Sequence, residues 1–299
     1  MERGLSRFVT NTLVIAVVCG GLWAALTTRP VAAADDQKDD EKAVLQADHS
    51  LVQAVTNGDK KAVDGLLDAD FTWIDLDGIS STKEQVLQDL NAFARGSEGN
   101  ADLKAFRHGQ VEAVFGAQHD GRFERVWVKR PAGWRVLVYQ QVPDRAPSSP
   151  AYANNGPGSA DCENPCKAIP YKPTTEADRE VIASFQAMST AIWKADADAW
   201  ARHIGDDDFG ITPGILVTKS NRIATIKKQK ETNTKPVPAP LLSALFFDFG
   251  DTVVMTALHQ PQNGKPHHFT RIWVKREGAW QLVAGAQTEI QAVPATITP

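Results

Sequence analysis

Two segments, RVWVKRPAGW at residues 125–134 and RIWVKREGAW at residues 271–280, carry one pattern of arginine, tryptophan and a basic pair. Each is typical of a β-strand that turns into a second strand. The upstream segment DADFTWI at residues 68–74 also matches DDDFGIT at residues 206–212. The repeat is therefore a domain of about 110 residues, longer than a solenoid unit. The positions matched across the last hairpin are Phe123, Arg125, Trp127, Lys129, Arg130, Trp134 and Gln141 with Phe269, Arg271, Trp273, Lys275, Arg276, Trp280 and Gln287.

The segment between the two copies, residues 143–175, contains seven prolines together with glycine, serine and asparagine. This composition predicts a linker between a first domain at 35–142 and a second at 176–293. The linker holds Cys162 and Cys166, which can form a local disulfide if the compartment is oxidising; the sequence leaves their pairing open. Fully extended, it spans up to about 100 Å, so the two domains can pair within one chain.

The first 34 residues have the pattern of a secretory signal peptide. Arg3 and Arg7 precede an apolar run at 13–26, and the alanines at 32–34 offer a cleavage site. We therefore expect an extracytoplasmic protein, periplasmic or secreted, with no membrane span after cleavage. The alternative is a chain anchored by an uncleaved N-terminal segment. The remaining chain carries 29 basic and 35 acidic side chains, a net charge of −6, without a basic cluster, which argues against a nucleic-acid partner.

The order of helical and extended patterns predicts an α+β fold in each domain. Apolar spacing predicts a helix over 40–56, a second helix capped by Asp59 and a third helix from 82 to 93. A strand with a turn at Asp77–Gly78 precedes the third helix, and strands at 103–107, 110–117, 122–129 and 134–142 follow it. The second copy repeats this order with helices from Asp178, Asp196 and near Asn221, but with three final strands. Helices before strands predict helices packed on one face of a curved antiparallel sheet.

The repeated arginine lies between two aromatic side chains on one strand face. Side chains alternate along a strand, so Phe123, Arg125 and Trp127 share a face. One interpretation is a pocket in which the arginine receives a ligand's carboxylate or carbonyl. The other is an arginine packed on the rings and paired with a helix carboxylate.

The helix order, the NGD turn, the DADFTWID strand and the final W-V-K hairpin resemble the nuclear-transport-factor-2-like (NTF2-like) superfamily. The resemblance is greatest to SnoaL-like and ketosteroid-isomerase-like bacterial domains, many of unassigned function. It covers both copies. It implies two cone-shaped domains, each with helices closing over a curved sheet around an apolar cavity. It also implies a tendency to dimerise through the sheet.

The isomerase resemblance carries over only in part. The position of its general-base aspartate falls on Asp75, that of its oxyanion-hole tyrosine on Leu51, and that of its protonated aspartate near Arg125. Leu51 donates no hydrogen bond, so the isomerase mechanism is not expected. In the second copy, Pro213 and Ser189 match Asp75 and Leu51. Asp75 also has a second interpretation, because Asp-Leu-Asp-Gly is a good turn sequence.

Candidate ligand-binding residues are the aromatic, arginine and glutamine side chains predicted to face the cavities. Filling of the core and cross-strand pairing are the alternatives for these residues. Three histidines, His259, His267 and His268, are expected at the surface, and no metal site or cofactor is predicted. The candidate set is Trp73, Phe123, Trp127, Tyr139, Gln141, Phe209, Phe269, Arg271, Trp273 and Gln287.

Three functions fit the sequence. The first is a non-catalytic protein that binds a small apolar or aromatic ligand. The second is an assembly module that associates with itself, as an internal pseudo-dimer or a homodimer. The third is an isomerase, lyase or hydrolase that uses Asp75 as general base and Arg125 as oxyanion stabiliser.

Overall fold

A computed structural model of the chain describes residues 31–96, 101–146, 161–234, 236–261 and 264–291. Most of the predicted signal peptide, residues 1–30, lies outside the described residues. The first helix begins at Val31 rather than at residue 40. The alanines at 32–34 are strong helix formers, which accounts for the earlier start. No helix in the described part of the chain is long and apolar enough to cross a membrane.

The first domain follows the predicted order of elements, with two differences. The predicted third helix is interrupted at Asp89, and a short strand, β2, precedes it. Thr82 forms a capping box with Gln85 and so fixes where the helix begins. The elements are α1 (Val31–Thr56), α2 (Lys60–Leu66), β1 (Leu67–Ile74), β2 (Ser80–Thr82), α3 (Lys83–Gln88), α4 (Leu90–Gly96), β3 (Ala101–His108), β4 (Val111–Gln118), β5 (Gly121–Arg130) and β6 (Gly133–Pro143).

The second domain repeats this order, with a single helix in place of α3 and α4. Thr218 caps that helix as Thr82 caps α3. The prediction of three final strands was wrong, because LLSALFFD forms a fourth. The elements are α5 (Glu176–Trp193), α6 (Ala197–Ala201), β7 (Ile204–Thr212), β8 (Ile215–Thr218), α7 (Lys219–Glu231), β9 (Leu241–Asp248), β10 (Thr252–His259), β11 (His267–Arg276) and β12 (Ala279–Glu289).

Each domain has one six-stranded sheet, ordered β2-β1-β6-β5-β4-β3 in the first and β8-β7-β12-β11-β10-β9 in the second. The sheets are mixed rather than purely antiparallel, since β1 runs parallel to β6 and β7 parallel to β12. The chain leaves β1 through the helices and returns as a four-stranded meander, whose last strand lies beside β1. The predicted α+β class with two domains is confirmed.

A bulge in the last hairpin decides which side chains face the helices. The pairing of β5 with β6 shifts between Val126 and Trp127, and the same shift occurs between Ile272 and Trp273. Because a one-residue shift reverses the facing of the strand, Val136 and Tyr139 both join the helix-side core.

The two sheets pack against each other through their faces opposite the helices. One apolar cluster contains Val126, Val128 and Val138 of the first domain and Ile272 and Ala284 of the second. Gln140 adds polar contacts across this interface. Its amide nitrogen donates to Thr288 Oγ1 at 3.0 Å, and its amide oxygen accepts from Thr270 Oγ1 at 2.7 Å.

The end of the linker is fastened to the second domain. A disulfide joins Cys162 to Cys166. Between them, the Asn164 side chain exchanges two hydrogen bonds with the backbone of Leu241 at the start of β9, at 2.9 and 3.0 Å. The cysteine loop thus lies at the edge of the second sheet.

Candidate functional site

The structure corrects the sequence match between the two domains by one position. Asp59 caps α2 through the backbone of Ala62, and Asp196 caps α6 through that of Ala199. Trp73 pairs with Tyr139, as Gly210 pairs with Gly285. Met188, rather than Ser189, therefore corresponds to Leu51.

This correction matters because the side chains of a strand alternate between its two faces. Asp208, rather than Phe209, corresponds to Phe71 on the helix side of the sheet. Phe209 instead reaches the interface between the sheets, where its ring lies 5.6 Å from Phe106 and 4.9 Å from Phe115. The prediction that Phe209 lines a cavity was therefore wrong.

Four aromatic rings fill the space between helices and sheet in the first domain. Phe93, from α4, is fully buried at the centre of this group. Its ring makes edge contacts with Phe71 at 6.1 Å, Trp73 at 5.2 Å and Tyr139 at 5.6 Å. We call these four side chains the aromatic plug.

None of the four rings has a counterpart in the second domain. Phe71 and Trp73 correspond to Asp208 and Gly210, by the strand register. Tyr139 corresponds to Gly285 and Phe93 to Gln229, by the hairpin register and the helix caps. All four replacing residues, Asp208, Gly210, Gln229 and Gly285, line one cavity.

That cavity has a volume of about 640 Å³, within the range of small-molecule sites. A Cβ at Gly285 would lie 2.6 Å from the carbonyl oxygen of Thr270, so the neighbouring strand leaves no room for a side chain at this position. Apolar side chains form most of the wall, and Ala146 of the linker reaches it. These apolar residues include Met188, Ile192, Trp200, Ile211, Leu216, Val217, Phe269 and Leu282.

The arginine of the repeated hairpin has different surroundings in the two domains. In the first, Arg125 is buried, and its Nη1 donates to Asp48 Oδ2 at 2.6 Å. Trp127 Nε1 donates to the other oxygen of Asp48 at 3.1 Å. In the first domain the structure therefore agrees with the second interpretation of the repeated arginine, in which it is packed in the core and paired with a carboxylate from a helix.

In the second domain, Phe185 on α5 takes the position of Asp48. The Arg271 guanidinium lies 5.1 Å from the Phe185 ring and 4.3 Å from the Phe269 ring, and the arginine lines the cavity. The indole nitrogen of Trp273 is buried and has no hydrogen-bond partner among the described residues. Trp273 itself packs behind the cavity wall rather than lining it.

The repeated glutamine, Gln141 in the first domain and Gln287 in the second, also has different surroundings in the two domains. In the first domain, Gln141 accepts from Trp73 Nε1 at 3.0 Å, and its amide nitrogen donates to Gln118 at 3.1 Å. Trp73 is glycine in the second domain. The Gln287 amide nitrogen is buried at the cavity wall without a hydrogen-bond partner in the described part of the chain.

Charged side chains in the cavity wall set its electrostatics. Burial raises the pKa of the Asp208 carboxyl to about 7, although the nearby Arg271 charge opposes this rise. Arg222 of α7 and Arg271 add two cations to the lining. The wall therefore carries more positive than negative charge at neutral pH.

Asp75 lies in the turn between β1 and β2. Its Oδ1 accepts hydrogen bonds from the backbone of Asp77 at 2.9 Å and Ile79 at 2.8 Å. Burial raises the pKa of the Asp75 carboxyl, while these backbone donors lower it. The geometry matches the predicted turn role of Asp75.

Of the ten predicted ligand-binding residues, Phe269, Arg271 and Gln287 line the cavity. The first-domain residues of that set contribute to its own packed core: Trp73, Phe123, Trp127, Tyr139 and Gln141 are each 8% exposed or less.

The expectation of surface histidines was wrong for two of the three. His259 and His267 are buried, with ring centroids 5.3 Å apart. β11 begins at His267, so the residue belongs to the sheet rather than to the preceding loop. No group of three or more His, Cys, Asp or Glu side chains that could hold a metal ion is found among the described residues.

Sequence reasoning missed Asp48, Phe93, Asp208 and Gln229. The signal that could have identified them is the cap spacing, since Asp59 and Asp196 fix the helix match without reference to the strands.

These features define a class of protein: two tandem α+β domains with the same sheet order, one with a packed interior and one with a cavity. No protein-family model matches the chain, and a comparison with curated proteins found no match. Solved structures are similar to it in part. An NTF2-like protein from Cytophaga hutchinsonii is 23% identical, with a TM-score of 0.30, over 39% of this chain and 100% of its own.

Two further structures illustrate the range of proteins matched. A candidate dehydratase of the NTF2-like family from Streptomyces avermitilis is 16% identical, with a TM-score of 0.34, over 40% of this chain and 100% of its own. The association domain of C. elegans CaMKII is 15% identical, with a TM-score of 0.31, over 38% of this chain and 95% of its own. The fold assignment rests on the sheet order described above.

Proposed function

We propose that this chain is an extracytoplasmic protein that binds a small apolar or aromatic ligand in its second domain. The observation that carries the proposal is the replacement of the aromatic plug by Asp208, Gly210, Gln229 and Gly285 around a cavity of about 640 Å³. A mostly apolar wall with a few polar groups is the usual composition of a small-molecule site.

In this proposal the first domain has a packed interior and supports the ligand-binding second domain. Its sheet contacts the second sheet through a shared apolar cluster and through Gln140. The assembly role that the sequence suggested is thus proposed within one chain, as an internal pseudo-dimer. The catalytic alternative finds less support, because the Asp75 carboxylate is engaged by the backbone of its own turn.

Fluorescence titration with naphthylethanol, a neutral aromatic probe, tests the proposal. We expect saturable binding of one probe per chain. Gln229→Phe restores the central ring of the plug and should abolish binding. Gln53→Phe is the matched control, because Gln53 is exposed on α1, and it should bind as the unchanged protein does.

Absence of probe binding to the unchanged protein, or equal binding to the Gln229→Phe variant, would count against the proposal. Native mass spectrometry of protein purified from its own host envelope complements the titration, since a retained ligand would be identified by its mass.

A further inference from the structure

We infer that the ligand of the second domain is an uncharged aromatic compound with a hydroxyl group, which accepts a hydrogen bond from Gln287 and donates one to Gln229. This inference rests on the proposed function and names the chemical class of its ligand.

Two glutamine side chains in the cavity wall have buried amide atoms without a hydrogen-bond partner among the described residues. The atoms are the amide nitrogen of Gln287, a donor, and the amide oxygen of Gln229, an acceptor. Gln287 is 5% exposed and Gln229 is 9% exposed. A buried polar group that makes no hydrogen bond costs free energy, and the large majority of buried polar groups in native proteins are paired. A bound hydroxyl group, which both accepts and donates, provides a partner for each atom.

The first domain contains two rings with polar groups between Gln141 and Phe93. The Trp73 ring lies 5.2 Å from the Phe93 ring, and its Nε1 donates to the amide oxygen of Gln141 at 3.0 Å. The Tyr139 ring lies 5.6 Å from the Phe93 ring, and its hydroxyl oxygen lies 3.5 Å from the amide nitrogen of Gln141. The first domain thus satisfies its glutamine with aromatic rings from its own chain.

The second domain keeps the glutamine and lacks both rings. Gln287 takes the place of Gln141 in the hairpin register, and two glycines, Gly210 and Gly285, take the places of the two rings. Gln229 stands where the first domain has the central ring of its plug. An external ring with a hydroxyl group therefore fits where the first domain places its own polar rings.

The charges of the wall argue for an uncharged ligand. The Arg271 guanidinium lies over the rings of Phe185 and Phe269, and its charge interacts with the buried Asp208 carboxyl. Arg222 also has interactions of its own within the protein. A ligand carboxylate would therefore compete with Asp208 for the charge of Arg271. A neutral hydroxyl group suits the two glutamine amides, and the mostly apolar remainder of the wall suits a ring.

The experiment compares naphthol with methylnaphthalene, which has the same two rings and a methyl group in place of the hydroxyl. Gln287→Met keeps the length of the side chain and removes the amide. Loss of one neutral hydrogen bond should weaken naphthol binding about three- to tenfold. Methylnaphthalene binding should stay the same or strengthen, because that probe leaves the amide without a partner. Equilibrium dialysis measures both affinities.

The corresponding glutamine of the first domain provides the matched control. Gln141→Met removes an amide that has partners, since Gln141 accepts from Trp73 and donates to Gln118 at 3.1 Å. It should lower the melting temperature and leave the ratio of the two probe affinities unchanged. Gln287→Met should lower the melting temperature less than this control does, because it removes a buried amide nitrogen that has no partner among the described residues.

A second variant, Gln229→Met, tests the acceptor of the proposed pair. It should also weaken naphthol binding about three- to tenfold and spare methylnaphthalene. If it leaves the ratio of the two affinities unchanged, the assignment of Gln229 is wrong. If Gln287→Met does not fold, as shown by loss of its melting transition, the Gln229→Met result decides.

The outcomes separate the inference from the proposed function. If both probes bind and Gln287→Met leaves the ratio of their affinities unchanged, the inference is wrong and the proposed function stands. If naphthoate, an anionic probe with the same rings, binds more tightly than naphthol, the ligand is not uncharged and the inference is also wrong. If none of the probes binds, the proposed function fails and takes the inference with it.

Discussion

Phe93→Ala tests the aromatic plug directly, because Phe93 is the ring that the other three contact. Its side chain is fully buried, and its ring lies 5.2–6.1 Å from three neighbours. Replacing a buried phenylalanine by alanine costs about 3–5 kcal/mol. Edge contacts between rings contribute about 0.5–1.5 kcal/mol each beyond the buried area. We therefore expect a loss near the upper end, about 4–5 kcal/mol, in the free energy of unfolding of the first domain.

Urea denaturation followed by tryptophan fluorescence measures this loss. Leu103→Ala is the control in the same domain, since Leu103 is 44% exposed, and it should change the free energy by less than about 1 kcal/mol. The variant should also gain a binding site for benzene, a probe of the size of the ring that is removed.

A loss below about 1 kcal/mol in Phe93→Ala would refute the view that this ring fills the first domain. Absence of benzene binding, in a variant that remains folded, would show that the first domain collapses on itself rather than opens. The first result, a small loss of stability, would remove the contrast between the domains on which the proposed function depends.

Three further predictions concern charged groups. Asp48→Leu leaves the Arg125 charge buried without its carboxylate and should cost about 3–5 kcal/mol in urea denaturation, most of which Asp48→Leu with Arg125→Met should recover. Asp75→Asn keeps an oxygen acceptor for the turn, so its melting temperature and probe binding should stay close to those of the unchanged protein; loss of a measured turnover instead would revive the catalytic hypothesis. Burial raises the pKa of the Asp208 carboxyl to about 7, from 3.8, so the folded state holds a proton that the unfolded state has released. The Asp208 carboxyl therefore contributes stability to the second domain that is lost as pH rises from about 4 to about 7, whereas burial lowers the pKa values of His259 and His268 and gives these groups the opposite slope. Over this range the stability of Asp208→Asn, in which Asp207, Lys219 and Arg271 still surround the position, should therefore have a more positive slope against pH than that of the unchanged protein; a profile that matches the unchanged protein would contradict the assignment.

The elements of both domains could be predicted from sequence because each is marked by local chemistry. Asp59 caps α2 as expected of its residue type, and alternation along β5 places Arg125 on the helix side. The parallel pairing of β1 with β6 could not be read locally, since it depends on a connection through two helices and four strands.

The candidate site was harder to predict because it depends on what one domain lacks. The match of DADFTWI to DDDFGIT aligns Phe71 with Phe209 because the two residues are identical. This alignment of β1 with β7 is wrong by one residue, and an error of one residue assigns every side chain of the strand to the opposite face of the sheet. The sequence therefore indicated two equal cavities, with chemistry assigned to the first domain. Only the registers of β1 and β7 show that Asp208 and Gly210 stand where rings stand in the other domain.

The packing of the two sheets within a single chain has a consequence for how such a protein can change. In a symmetric dimer of separate subunits, every mutation alters both sites at once, so a loss of packing in one is a loss in both. Here one gene encodes both halves, and each substitution falls on one half alone. The second domain can lack the four rings while the first domain keeps them and still packs against it through Gln140 and the shared apolar face. Two domains fused in one chain can therefore take different roles, which the identical subunits of a symmetric dimer cannot.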